Sequence, residues 1–169
     1  IALESQVGKG SKFFFELEFE VAEQELAVIQ EVKSKSISFD TLHLLMAEDN
    51  DVNSLVLGKI IKKWGFTYDR VLNGLEAVEA VRNNSYDCIL MDIQMPEMDG
   101  METCQYLRDQ LGLRQLPILA LTAGVMESDH QQALAAGMDE VLVKPLQIDK
   151  VLDAVKRWGA QIKLRAQIH

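Results

Sequence analysis

The stretch LMDIQMPEMDG, residues 90–100, joins an apolar run to a carboxylate and then turns. Cys88, Ile89, Leu90 and Met91 have the unbroken apolar character of a strand buried on both faces, and the run stops at Asp92. Pro96, Asp99 and Gly100 then punctuate the chain. A strand that ends in an acid and turns at once places that acid at the carboxyl end of a sheet, so the flanking sequence decides what the acid is for.

Residues 41–160 repeat this strand-then-helix grammar. LHLLMA (42–47) is an apolar run ending at Glu48-Asp49, followed by Val52, Leu55, Val56 and Ile60 at helical spacing, with Trp64 and Gly65 closing the helix. FTYDRVL (66–72) is a more polar strand suited to a sheet edge, and Asn73 can cap a helix over EAVEAVR (76–82). DCILMD (87–92) is the third strand, and Gly100 to Leu111 reads as a helix with Asp99 as its cap. LPILALTA (116–123) is a fourth strand, Met126 to Ala136 a helix stopped by Gly137, and EVLVK (140–144) a fifth, fully apolar strand before Pro145. Ile148, Val151, Leu152 and Val155 mark the last helix. Five β-then-α units predict an α/β domain with an open, doubly wound parallel sheet, whose ligands bind at the carboxyl ends of the strands.

Those ends carry Glu48-Asp49, Asp92, Thr122 and Lys144. Taken singly, each has a plain reading: Asp92 a turn or cap residue, Asp49 a helix cap, Thr122 a turn residue and Lys144 a solvated cation. Taken together, three carboxylates converging on one crevice would raise a pKa or hold a cation, and hard oxygen ligands suit Mg²⁺ with retained waters. Metal, hydroxyl, ammonium and a nucleophilic carboxylate make a phosphoryl site.

The segments AEDN (47–50), LMDIQMPEMDG (90–100), ALTA (120–123) and VKP (143–145) resemble, in order and spacing, the receiver domain of two-component signalling. NGLEAV (73–78) and AAGMDE (135–140) are similar to receiver segments too. The resemblance implies a flavodoxin-like (βα)5 fold with strand order 2-1-3-4-5. It makes Asp92 the phospho-acceptor. It makes Glu48, Asp49, Asp92 and the Gln94 carbonyl ligands of Mg²⁺ (or Mn²⁺). Thr122, Lys144 and the backbone N–H groups of Ile93 and Ala123 would contact the phosphoryl oxygens. Pro96 and Gly100 would shape the loop after the acceptor, and the Lys144–Pro145 bond would be cis, which proline alone makes cheap. The family's switch pairs the threonine with an aromatic residue three positions before the lysine; here the pair is Thr122 and Val141, so the aromatic readout does not carry over.

QVGKGSKFFFELEFE (6–20) reads as a glycine turn and an alternating strand with Phe13, Phe15, Leu17 and Phe19 on one face. Its GKGS is not a phosphate loop, because Gly10 follows Lys9 where Ser or Thr is required. Residues 1–20 resemble the last strands of a histidine-kinase ATP-binding domain, and that order before a receiver is the hybrid histidine kinase arrangement. VAEQELAVIQEVKSKSISFD (21–40) reads as a linker, with a short helix over Ala22 to Val32 as an alternative, and 161–169 as a tail or an extension of the last helix. The chain starts at Ile1 without an initiator Met, which suggests a piece of a longer protein.

The remaining composition narrows the classes. A net charge of −9 over 169 residues argues against a broad nucleic-acid surface. No stretch reaches the ~18 apolar residues of a membrane span, and no signal peptide is visible. Cys88 and Cys104 sit within apolar patterns as small core residues. Of three histidines, His43 falls in a strand, His130 in a helix and His169 at the terminus, so none sits in a phospho-donor helix. The ATP-binding motifs are also missing. The fragment is therefore expected to accept phosphate without making it from ATP. The resemblance implies a histidine kinase core as donor and a histidine phosphotransfer protein as recipient, in the cytoplasm, with a parent that could be anchored in an inner membrane. It implies no membrane contact by this segment and a monomer or weak dimer. Two other classes compete. A haloacid-dehalogenase-type phosphohydrolase needs a second Asp two residues after the nucleophile, where Gln94 stands. A pseudo-receiver serving only as an interaction surface would not need Asp49, Asp92, Thr122 and Lys144 intact.

Overall fold

The computed structural model describes residues 2–6, 10–14, 42–124 and 126–166, with side chains over 42–124 and 126–159. Contacts divide the chain into two units, Ile1–Ile37 and Ser38–His169. In the first, β1 (Ala2–Gln6) and β2 (Gly10–Phe14) pair antiparallel, with Gln6 opposite Gly10 and Ala2 opposite Phe14. Gly10 and Ser11 are thus strand residues. The rest of the alternating strand (Phe15, Leu17 and Phe19), the linker and 167–169 lie outside the described residues.

The second unit holds five strands and five helices in alternation. They are β3 (His43–Ala47), α1 (Asp51–Lys63), β4 (Thr67–Val71), α2 (Gly74–Asn83), β5 (Cys88–Asp92), α3 (Gly100–Asp109), β6 (Ile118–Thr122), α4 (Glu127–Ala135), β7 (Glu140–Val143) and α5 (Ile148–Ala166). All five strands are parallel in the order β4-β3-β5-β6-β7, which is 2-1-3-4-5 counted from His43. The order reverses at β3, so the crevice between β3 and β5 is the topological switch point.

Successive side chains of a strand point to opposite faces, and the core divides accordingly. Leu45, Ile89 and Met91 pack with Val78 of α2, Leu107 of α3 and Ala133 of α4. Leu44, Met46 and Leu90 pack with Leu57 and Ile61 of α1 and Val155 of α5. Burying each such Leu or Ile stabilises by roughly 1.5–3 kcal/mol, so both layers are needed to hold a sheet without polar faces. Both cysteines are free and buried in these layers, and burial pushes each thiol up, Cys104 to about 11.

The helices start where polar caps allow. Asn50, rather than Asp49, caps α1, its side chain accepting from the Val52 and Asn53 N–H groups at 2.9 and 3.1 Å. Asn73 caps α2, and Asp99 with Glu102 forms a capping box on α3. The face that α1 buries is Ser54, Leu57, Gly58 and Ile61. The apolar stripe picked out by spacing, Val52, Leu55 and Val56, is instead 70, 58 and 53% exposed. EVLVK is not fully buried either: β7 is an edge strand, and only Leu142 in it is buried while Glu140, Val141 and Val143 are half-buried. Among the described residues the last helix runs on to Ala166, as an extension rather than a tail. No described helix is long and apolar enough to cross a membrane.

Arg108 on α3 ties the amino ends of β6 and β7 to the α3–β6 loop. It donates to the carbonyls of Gly137 at 2.9 Å and Leu116 at 2.8 Å, and to that of Leu113. It also pairs with Asp139 at 2.8 Å, and Asp139 accepts from the Ile118 N–H at 2.8 Å. Breaking a largely buried pair of this kind leaves an unpaired charge and several orphaned carbonyls. Arg108→Ala is expected to lower the unfolding free energy by about 3 kcal/mol, read as a fall in the urea midpoint at an unchanged slope.

Candidate functional site

Strand polarity delivers the site. β3 and β5 lie side by side in parallel, with Met46 opposite Leu90 and Ala47 opposite Met91, so the acids following Ala47 and ending β5 emerge at the same end. Carboxylate oxygens of Glu48, Asp49 and Asp92 lie within 4.8 Å of one another. Glu48 and Asp92 are buried, at 1 and 7% exposure, whereas Asp49 faces solvent. β7, on the far edge, ends one residue before Lys144, whose ammonium reaches the crevice, and the Lys144–Pro145 bond that follows is cis.

Lys144 is the cation that holds the acids together. Its Nζ lies 2.5 Å from Asp92 Oδ2 and 2.8 Å from Glu48 Oε2. The other oxygens are also engaged: Glu48 Oε1 accepts from Asn53 Nδ2 at 3.0 Å and from the Asn50 N–H at 3.3 Å, and Asp92 Oδ1 accepts from the Gln94 N–H at 3.0 Å. Burial raises the Asp92 carboxyl above the ordinary carboxylate range, against the Lys144 ammonium and the Gln94 N–H, which hold it down. For Lys144, burial pulls downward but hydrogen bonds to Asp92 and Glu48 outweigh it, so the ammonium is held more firmly than usual.

Thr122 ends β6 beside Asp92, is buried, and accepts from the Gly124 N–H at 2.9 Å through Oγ1. Its carbonyl accepts from the Lys144 N–H at 2.7 Å, which links the two residues through the backbone. Gln94 and Ala123 are exposed at the mouth. The Ile93 N–H, expected to face a phosphoryl oxygen, donates instead to Leu121 O at 3.0 Å as a continuation of the β5–β6 ladder; the amide aimed at Asp92 is that of Gln94. Val141 is not in the crevice. It pairs with Ala120, two residues before Thr122, and packs half-buried on the α4 side.

The loop after Asp92 closes tightly. The Gly100 N–H donates to Ile93 O at 2.9 Å, and a Cβ on Gly100 would collide with the Asp92 carbonyl, so α3 can begin this close to β5 only with glycine there. Glu97 in the same loop adopts φ 66°, a left-handed conformation with no glycine to mark it in the sequence. Asn53 carries no motif of its own in the sequence; the available signal is a polar first turn, DVN (51–53), that follows the acidic pair and its Asn50 cap.

The donor set fits a hard divalent cation: all oxygen, three carboxylates against one ammonium, and no histidine or thiol among them. At an effective dielectric near 20, each carboxylate pair at this spacing repels by about 3 kcal/mol, which a cation reverses.

Fold and site together define an open α/β domain with an acidic, lysine-closed crevice at its switch point. The chain belongs to the response regulator receiver domain family, which matches over residues 44–156, and is a receiver domain of two-component signalling. It is 38% identical over 131 residues to hybrid signal transduction histidine kinase G of Dictyostelium discoideum, covering 76% of this chain and 4% of that protein. It is 32% identical over 161 residues to the autoinducer 2 sensor kinase/phosphatase LuxQ of Vibrio vulnificus, covering 95% of this chain and 19% of that protein. The chain thus spans a small part of these relatives. Among solved structures it resembles the receiver domain of sensor histidine kinase PA1611 from Pseudomonas aeruginosa, determined with a magnesium ion coordinated in the active site cleft (33% identity, TM-score 0.66, 71% of this chain and 98% of that one). It also resembles the complex of the Saccharomyces cerevisiae histidine phosphotransfer protein Ypd1 with the receiver domain of Ssk1 (28% identity, TM-score 0.67, 71% and 90%).

If Lys144 is the internal counter-cation, Lys144→Met leaves three acids to repel. In EDTA the variant is expected to be less stable by about 3 kcal/mol. Mg²⁺ should raise its melting temperature more than that of the parent, measured by thermal denaturation with and without the metal.

Proposed function

We propose that this receiver accepts a phosphoryl group from a phosphohistidine on Asp92 and passes it to a histidine phosphotransfer partner, within a hybrid histidine kinase. The observation that carries the reading is the convergence of Asp92 with Glu48, Asp49 and Lys144 in one crevice.

The chemistry follows from the residues. Asp92 attacks phosphorus in line; an O–P bond forms as the P–N bond breaks, and the imidazole leaves with the electron pair. Lys144 moves from Asp92 Oδ2 to a phosphoryl oxygen, keeping its ammonium beside growing negative charge. The Thr122 hydroxyl would turn from the Gly124 N–H to donate to another oxygen, the Gln94 N–H would turn from Asp92 Oδ1 to do the same, and the Ala123 N–H would be a further donor. Glu48, Asp49, Asp92 and the Gln94 carbonyl would hold Mg²⁺ or Mn²⁺, which supplies charge neutralisation when bound. Gln94 offers no carboxylate to activate water, which disfavours rapid turnover of phosphate esters.

The exposed α1 stripe suits the partner. Val56 and Ile148 line a groove of about 300 Å³ with Pro145 and Leu146, immediately beside Glu48 and Lys144. Val52, Leu55 and Val56 extend the apolar surface along α1. An apolar helix face at the rim of the acceptor site suits a partner helix that presents a histidine. The Ypd1–Ssk1 complex supports a phosphotransfer protein as that partner. The β1–β2 hairpin and the 161-residue match to a sensor kinase support residues 1–20 as the end of a kinase ATP-binding domain and 21–40 as the linker. We propose a cytoplasmic location, because a kinase core that donates phosphate would draw on ATP there.

Acetyl phosphate with Mg²⁺ should add one acid-labile phosphate, and Asp92→Ala should abolish it by mass spectrometry; labelling that persists in the variant would overturn the assignment. Val56→Glu should cut transfer from a phosphorylated histidine donor at least tenfold while still accepting phosphate from acetyl phosphate, since a buried carboxylate at a docking interface costs more than 1.4 kcal/mol.

A further inference from the structure

The two metal-facing acids at residues 48 and 49 stand on a turn, not on a strand, and something must hold that turn. The Glu48 N–H donates to Val71 O at 3.1 Å, which ties the start of the turn to β4. Beyond that point the tie is a side chain. Arg70, one residue before the end of β4, donates from Nε to Glu48 O at 3.1 Å, from one terminal nitrogen to Asp49 O at 3.1 Å, and from the other to Asp51 Oδ1 at 2.8 Å. Strand alternation puts Arg70 on the same face as Tyr68, which packs against α1 at Gly58, so Arg70 reaches the first residues of α1 and the turn leading into it.

We propose that Arg70 is a positioning residue for the acidic turn: by bridging the carbonyls of Glu48 and Asp49, it sets the two carboxylates for the cation. The inference rests on the Mg²⁺ reading of the site. A guanidinium is a rigid planar fork, so three donors fix one orientation, which a lysine's single rotatable ammonium holds less well. The pair with Asp51 contributes little to this, because Asp51 is 89% exposed and such pairs are weak. The two carbonyl bonds do the holding.

Geometry and electrostatics predict opposite signs, which makes the proposal testable. A cation beside a cation site weakens metal binding by repulsion. If Arg70 acted by charge alone, removing it would tighten Mg²⁺, and removing the Asp51 charge would loosen it. If it acts by position, removing it loosens Mg²⁺. Supporting groups around metal ligands are worth about tenfold or more in affinity when removed.

The test is Mg²⁺ titration of the 169-residue chain, followed by calorimetry and by backbone amide shifts, for the parent, Arg70→Gln, Arg70→Lys and Asp51→Asn. The expected result is a dissociation constant about tenfold weaker for Arg70→Gln, an intermediate loss for Arg70→Lys despite its retained charge, and a change within about twofold for Asp51→Asn. In the metal-free state, the Glu48–Asn50 amide signals of Arg70→Gln should broaden or shift. Parent-like or tighter Mg²⁺ binding by Arg70→Gln would overturn the proposal, as would Arg70→Lys matching the parent. Should Arg70→Gln fail to fold, the Arg70→Lys constant decides alone. A parent that binds no Mg²⁺ refutes the metal reading itself, and this inference with it.

Discussion

Mutual repulsion among Glu48, Asp49 and Asp92 is the constraint on which the rest of the domain turns. A sheet brings such groups together only where parallel strands end side by side, and it can keep them there only with a cation on hand. Lys144 is that cation, and it arrives from the opposite edge of the sheet, 96 residues from Glu48 in the chain. The ion cluster therefore spans β3, β5 and the end of β7, and the β5–β6–β7 register has to be right for it to form. Strand order and chemistry are one problem here. An order that separated β3 from β5 would part Glu48 from Asp92.

The same cluster explains why the resting site is poised rather than inert. Both buried carboxylates are fully engaged, yet their principal partner is a flexible ammonium on a four-carbon stem, 21% exposed on its side chain. A compact, mobile cation can leave one oxygen for another without leaving the crevice. The Gln94 N–H and the Asn53 amide are different: they are fixed by the loop and by α1. The site thus combines donors fixed by backbone and helix with one charge carried on a flexible stem.

The five β-then-α units were legible because buried parallel strands are unbroken apolar runs, and because Asn73 and Asp99 mark helix starts with side chains that satisfy orphan N–H groups. The convergence of Glu48, Asp49, Asp92 and Lys144 was legible because strand ends in an alternating fold all point one way. What was not legible depended on which face of an element is covered. Spacing in α1 marks Val52, Leu55 and Val56 as an apolar stripe but is silent on whether the sheet lies beneath it; the sheet lies beneath Leu57 and Ile61 instead. EVLVK has the composition of a central strand and occupies an edge, because composition does not encode strand order. The resemblance assigns the Ile93 amide to the phosphoryl group, although its position one residue past β5 lets the ladder continue to Leu121. Arg70 lies in the polar strand FTYDRVL, and only the carbonyls it meets distinguish it.

Val141 packs differently from an aromatic residue at the same place on β7. A valine is stiff about χ1 and has no polar tip, so it gains nothing by swinging between core and solvent as an aromatic residue can. It stays packed with the layer that includes Ala133, opposite Ala120. The element above it is the one least tied down: α4 has no side-chain cap bond and buries only Ala133 of its own residues, whereas α1 buries Ser54, Leu57, Gly58 and Ile61. Shifting α4 would uncover little apolar area, and the cost scales with that area. Thr122 is joined by hydrogen bonds to Gly124, on the path into α4, and to Lys144, at the end of β7. A displacement of Thr122 would therefore pull on the backbone leading into α4 and on the end of β7 together.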